Sequence, residues 1–226
     1  MSISLNKVLP CRVCGADIEA TTFESINPTR HPFLQDQLLA RTLLKRSCDR
    51  CGALHNHYDR LIWTDLPGRL CVCILQEDDR PRWPQLENEA LAALSVPLRA
   101  EGPPAVRLWG DQVRIRLVFG SEELREKVIC RLAGLDDRVV EYLKVTLMDR
   151  DRGAVPVLDA CDDADLRFRF LDRDEPITLP RDRHDQAAAR TTDLAAELPG
   201  LFAADATWVH WGRALHTPGV AGGSAT

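Results

Sequence analysis

Residues 11–15 read Cys-Arg-Val-Cys-Gly, and residues 48–52 repeat the pattern as Cys-Asp-Arg-Cys-Gly. This matched pair decides the fold of the amino-terminal third. A two-residue gap lets both thiolates of one turn face a single ion, and the glycine that follows relaxes the turn so that backbone N–H groups point at sulfur. Cys11, Cys14, Cys48 and Cys51 together offer four soft ligands, enough to close a tetrahedral shell around Zn²⁺ at Zn–S distances near ~2.3 Å. A closed shell leaves no position for water or substrate. The spacing therefore predicts one structural zinc ion in a zinc-ribbon-like β module, against the alternative of two unrelated thiol motifs or buried cysteines. The 33 residues between the pairs exceed the roughly fifteen to twenty of the compact pattern, which implies an inserted helix. His55 and His57, just past the second pair, are candidates to hydrogen-bond a ligand or to substitute for one; ordinary strand positions explain them as well.

Outward from the cysteines, Ile18–Phe23 reads as a strand, and Leu34, Leu38, Leu39 and Leu43 give residues 32–45 helical spacing. His55–Trp63 and Arg69–Gln76 read as strands around a turn at 65–68. Prolines 81, 84, 97, 103 and 104 mark residues 80–104 as a connector carrying a short helix at 86–94. The domain reading is thus a zinc-ribbon-like module over 1–79, the connector at 80–104, an α+β region over 105–216, and a Gly/Ala/Ser tail at 217–226. Within the third segment, Val106–Trp109 and Val113–Phe119 flank Gly110-Asp111 like a hairpin. Ser121 and Asp136 suit the caps of two helices separated by Gly134, with Leu124, Val128 and Leu132 on one face and Val139, Leu143 and Leu147 on the next. Leu166, Phe168 and Phe170 alternate as a strand with a partner at 177–179, and residues 183–198 read as a helix. The fold class is α+β: a zinc-ribbon-like β module followed by an antiparallel sheet with a helical hairpin.

Composition narrows function mostly by exclusion. Hydrophobic content of 45% and charged content of 28% suit a folded globular chain. No apolar run approaches the roughly 20 residues of a membrane span, and the first residues lack a signal peptide's apolar stretch, so the cytoplasm is the expected compartment. The formal net charge of −5 is unevenly spread: residues 1–60 hold eight Lys/Arg against six Asp/Glu, whereas residues 121–175 hold ten against fifteen. Only the first third offers a basic surface for nucleic acid, through Arg41, Lys45, Arg46 and Arg50. Cys71, Cys73 and Cys130 read as packing thiols, and Cys161 lies among acidic residues.

The order of these features resembles the bacterial and archaeal CpXC family, named for paired Cys-Pro-x-Cys motifs. The matching pieces are Cys11–Cys14, Ser25-Ile26-Asn27, Cys48–Cys51, the strands through Trp63, Leu117–Gly120, Glu123–Lys127 and Gly134–Glu141. They cover roughly residues 9–150. Arg12 and Asp49 stand where the family has proline, so no pyrrolidine ring presets either turn. The resemblance supports the zinc assignment and the two-block architecture, and it implies no activity.

In the helical hairpin, Glu126, Asp136, Asp137 and Glu141 form an acidic cluster beside Lys127, and paired carboxylates can serve acid–base chemistry or hold a hard cation. Capping and helical ion pairs account for the same residues: Asp136 as a cap, Glu123 with Lys127, Glu141 with Lys144. No phosphate loop, nucleophile elbow or His-Glu-x-x-His helix is present, so no catalytic residue is assigned. The sequence favours a zinc-containing accessory or protein-interaction protein with a protein partner and no membrane association; Trp83, Trp208 and Trp211 are candidate contact anchors. The alternatives are a nucleic-acid-binding ribbon, which the overall acidity opposes, and an enzyme using the acidic hairpin or a pocket between the modules.

Overall fold

A computed structural model describes residues 2–56, 58, 60–95, 103–147, 156–170, 176–202, 207 and 209–210. Helices combine with mixed and antiparallel sheets in an α+β fold. The chain divides into two compact units, residues 1–125 and 126–226. His57, Trp208, Trp211 and the tail at 217–226 lie outside the described residues.

In the first unit, β1 (Ile3–Pro10) and β2 (Asp17–Ile26) form an antiparallel hairpin whose tip is the first cysteine turn. α1 (Pro32–Leu39) leads to a small hairpin of β3 (Lys45–Ser47) and β4 (Leu54–Asn56), whose tip is the second cysteine turn. We refer to these two hairpins with α1 as the ribbon arm. β5 (Leu61–Asp65), β6 (Leu70–Leu75) and β7 (Arg114–Phe119) complete a five-stranded sheet in the order β1-β2-β5-β6-β7. β2 meets β5 at two positions, Ser25 opposite Ile62 and Ile26 opposite Trp63. Every residue of β6 is buried, as its unbroken apolar run Leu-Cys-Val-Cys-Ile-Leu requires. The expected turn at 65–68 joins β5 to β6, with Asp65 Oδ1 accepting the Gly68 N–H at 3.0 Å.

Several sequence expectations change here. The helix of residues 32–45 stops at Leu39, because Arg41 takes a left-handed conformation (φ 59°) and the N–H groups of Arg41 and Thr42 close back on Leu38 and Gln37. That is the hydrogen-bonding pattern of a Schellman stop, made without glycine. The stretch 55–63 is two strands in two sheets, β4 and β5. Residues 104–110 are a helix, α3, not the first strand of a hairpin: Pro104 sits at its first turn, where no N–H is needed. β7 keeps its strand but pairs in parallel with β6, Leu70 opposite Arg114 through Leu75 opposite Phe119. The Pro-rich segment, with α2 at Trp83–Ser95, is therefore part of the crossover between two paired strands of the first unit.

α4 (Ser121–Leu132) carries the division at residue 126, and α5 (Asp137–Leu147) follows it. As expected, α4 stops at Gly134, with Leu135 and Gly134 N–H groups returning to the Cys130 and Arg131 carbonyls at 2.8 and 3.3 Å. The second unit then builds an antiparallel sheet of β8 (Pro156–Cys161), β9 (Asp165–Phe170) and β10 (Pro176–Pro180), ordered β10-β9-β8. Leu166, Phe168 and Phe170 are all buried, which confirms the alternating strand. The helix expected at 183–198 is two, α6 (Asp182–Ala189) and α7 (Thr191–Glu197), followed by α8 (Pro199–Phe202). Val139 of α5 packs with Leu194, Leu201, Phe202 and Val209. No helix among the described residues is long and apolar enough to cross a membrane.

Candidate metal centre

The ribbon arm brings the four motif cysteines together from two hairpin tips. Both tips fold alike. In the first, the Gly15 N–H donates to the Cys11 carbonyl at 2.9 Å and the Cys11 N–H to the Ala16 carbonyl at 2.8 Å. In the second, Gly52 donates to Cys48 and Cys48 to Ala53, each at 2.8 Å. Gly15 and Gly52 take φ values of +70° and +72°, and nothing lies near a Cβ built on either. Backbone conformation rather than space therefore demands glycine at both positions.

All four Sγ atoms lie within 4.8 Å of one another. Cys11 lies opposite Cys51, and Cys14 opposite Cys48, each pair at 3.6 Å between sulfurs. A tetrahedron with ~2.3 Å metal–sulfur bonds has edges of ~3.8 Å, so the thiols fit a tetrahedral ion without rearrangement. The Val13 N–H points at Cys11 Sγ at 3.4 Å, and His55 Nε2 approaches the same sulfur at 3.2 Å. The apolar floor is Ile18, with Ala16 and Ala53 against the sulfurs.

Thiol acidities follow from this crowding. At Cys11, burial pushes the thiol up but N–H groups at Cys14 and Val13 outweigh it, bringing the group down to about 5. At Cys14, the N–H at Ala16 favours the thiolate, yet burial and the neighbouring sulfurs raise the group to about 12. Once one thiolate forms among the packed sulfurs, its charge holds protons on Cys14 and Cys51. A divalent cation removes that opposition and draws off the remaining protons. The cluster can hold a metal ion.

Two hairpin tips present four convergent thiols, a ribbon-like arrangement that could hold a metal ion. The family model described as CpXC protein matches residues 9–144, and the chain belongs to that family. Comparison with curated proteins and with solved structures found no match.

The remaining cysteines are elsewhere. Cys71, Cys73 and Cys130 are buried, and burial raises all three thiols, Cys71 to about 11. Cys161 is half-buried beside Arg181, whose Nη1 lies 3.4 Å from its sulfur. Of the basic residues considered for nucleic acid, Arg41 and Lys45 both reach Glu122, at 3.2 and 3.5 Å; Arg46 and Arg50 are exposed.

Of the two ion pairs expected within the helices of the hairpin, Glu141–Lys144 forms, at 3.0 Å. Glu123 pairs with Arg80 at 2.5 Å rather than with Lys127. Glu126, Lys127, Asp137, Glu141 and Lys144 are buried together in the second unit. Lys127 Nζ donates to Glu141 Oε1 at 2.8 Å, and Lys144 Nζ donates to Glu126 at 3.0 and 3.1 Å while also reaching Glu141. The Leu158 N–H completes Glu126 at 2.8 Å. These carboxylates are compensated by two lysines inside the protein.

Asp136 sits apart from this network. Its Oδ1 accepts the Arg138 N–H at 2.9 Å, the cap geometry expected, and its Oδ2 meets Arg138 Nη2 at 2.7 Å. Asp136→Ala should therefore cost about 1–2 kcal/mol in urea unfolding, and Asp136→Asn less, because the amide oxygen still caps. Neither change should alter metal content; an altered content would return Asp136 to a ligand role.

Proposed function

We propose that this protein is a zinc-binding interaction or accessory protein, in which one Zn²⁺ held by Cys11, Cys14, Cys48 and Cys51 is structural. The observation that carries the reading is the four-sulfur cluster, whose edges already match a tetrahedral shell. Four thiolates leave no coordination position for a substrate, so the ion's work is to join two hairpins. His55, donating to Cys11 Sγ, would orient that ligand and delocalise its charge. The zinc-ribbon module of residues 1–79, which includes the arm, then presents a surface to a protein partner.

Thiol alkylation with parallel elemental analysis tests the metal reading. Cys51 is exposed. The N–H at Ala53 favours its thiolate, but desolvation of its sulfur and the sulfurs of Cys11 and Cys48 raise the group. Labelling is therefore done at alkaline pH, where an unligated thiol there ionises and reacts. Protein as purified should contain one zinc per chain, with Cys51 protected from iodoacetamide until a chelator is added. Rapid labelling of Cys51 in protein that retains its metal would remove it from the shell and end the closed-site reading.

A further inference from the structure

β1 is the last strand of the five-stranded sheet, and among the described residues no strand pairs with its outer edge. An edge strand carries a row of N–H and C=O groups whose natural complement is another extended backbone. Folded proteins blunt such edges with short strands or heavy charge. β1 is eight residues long and carries Ile3, Leu5 and Val8 exposed, with Lys7 as its one charge.

Beside it lies a groove of about 810 Å³ between the β1–β2 hairpin, α1 and residues 42–46. Its walls include Val8, Phe23, Phe33 and Leu43, and Phe33 is 54% exposed. Lys7, Lys45 and Arg46 line it with Glu19, and Lys45 is already held by Glu122. Edge and groove together have what strand addition requires: main-chain groups for affinity and a recess for alternate side chains.

We propose that the β1 edge and this groove take up an extended acidic segment of another protein, added as a further strand with apolar side chains in the groove and carboxylates toward Lys7 and Arg46. The proposal rests on the reading of the arm as a binding module. A single-stranded nucleic acid would also meet aromatics and cations here. It cannot, however, pair an alternating row of backbone donors and acceptors in register.

Fluorescence anisotropy on zinc-loaded full-length protein decides it. The probes are terminally blocked heptapeptides alternating valine with glutamate or valine with lysine, and the glutamate peptide N-methylated at alternate residues. The glutamate peptide should bind at least about tenfold more tightly than the lysine peptide, since about 1.4 kcal/mol of charge complementarity suffices. N-methylation should abolish binding. Lys7→Glu and Val8→Asp, both at exposed positions, should each weaken it at least about tenfold with zinc content unchanged. Equal affinity for the two charge patterns, no binding of the glutamate peptide at millimolar concentration, tighter binding of oligothymidylate, or a stable dimer in sedimentation that Val8→Asp dissociates would each overturn the proposal. Zinc is measured on the same samples, so a protein that binds peptide without metal would refute the zinc reading and leave this one standing.

Discussion

Cys48→Ser protein should contain no stoichiometric zinc and should lose the ribbon arm while the strands β5, β6 and β7 persist. The expectation follows from how little holds the arm besides the reach of Arg41 and Lys45 to Glu122 and of Arg125 to the Leu39 carbonyl. β3 and β4 pair over three positions, Lys45 with Asn56 through Ser47 with Leu54, and a two-stranded hairpin of that length is not stable alone. β2 joins the sheet at Ser25 and Ile26 only. Structural zinc contributes on the order of 10–16 kcal/mol of apparent binding free energy, comparable with the roughly 5–15 kcal/mol that stabilises a whole domain. Amide exchange should therefore show lost protection over residues 3–20 and 45–56 and retained protection over 70–75 and 114–119. Cys11→Ser should behave alike. Cys71→Ser, a buried position in β6, should destabilise the sheet but leave zinc in place. Should chelation or Cys48→Ser leave exchange in the arm unchanged, the metal would not be what joins the hairpins.

The arm was legible because chemistry sets its spacing. Two cysteines two residues apart, each pair with its glycine, can be read without knowing what folds between them, and Gly15 and Gly52 indeed adopt the left-handed conformation. The parallel partner of β7 was not legible. Val113, Ile115 and Leu117 alternate as any half-buried strand does, and period two names no neighbour; a turn-like Gly110-Asp111 nearby suggested a hairpin that the helix of Pro104–Gly110 excludes. β8 escaped notice for a similar reason. Its apolar run is Val157-Leu158, too short to show a period, and it is held by β9 on one edge.

The helical hairpin was legible in outline and misread in detail. Gly134 and Asp136 placed its turn and cap, and the expected Glu141–Lys144 pair within α5 forms at 3.0 Å. Spacing within one helix could not show the remaining partners, which are across the hairpin. Glu126 and Lys144 lie nine residues either side of Leu135, and Lys127 and Glu141 seven either side of Gly134. That mirror spacing of opposite charges about a predicted turn is the signal that could have exposed the network. α4 is also buried on most of its circumference, Leu132 being the exposed exception, so a single apolar stripe understated what it covers.

Lys144→Met should be among the most damaging single changes in the second unit, costing about 3–5 kcal/mol, because it leaves buried carboxylates without their cation. Glu126→Gln should do far less near neutral pH, for a reason found in the charge balance. Burial raises Glu126 to about 7 despite Lys144, with Glu141 adding to the rise. Glu141 is held well below the usual carboxylate range: burial opposes this, and Lys127, Lys144 and His210 outweigh it. With Glu126 protonated, the anions Glu141 and Asp137 balance Lys127 and Lys144. Ionising Glu126 adds a third carboxylate charge beside the two buried lysines. A group whose folded value lies above its unfolded value stabilises fully below the unfolded value and loses that contribution as pH rises through the folded one. For Glu126 the loss therefore runs from about 4.5 to about 7, at up to about 1.4 kcal/mol per pH unit. Glutamine mimics the protonated acid, accepts the Leu158 N–H, and cannot ionise. Chemical denaturation of wild type and Glu126→Gln across this range should give curves that approach each other near pH 4 and diverge above pH 7, with the glutamine variant the more stable on the alkaline side. A pH-independent difference would mean that Glu126 binds protons alike in the folded and unfolded states, the lysines offsetting its burial.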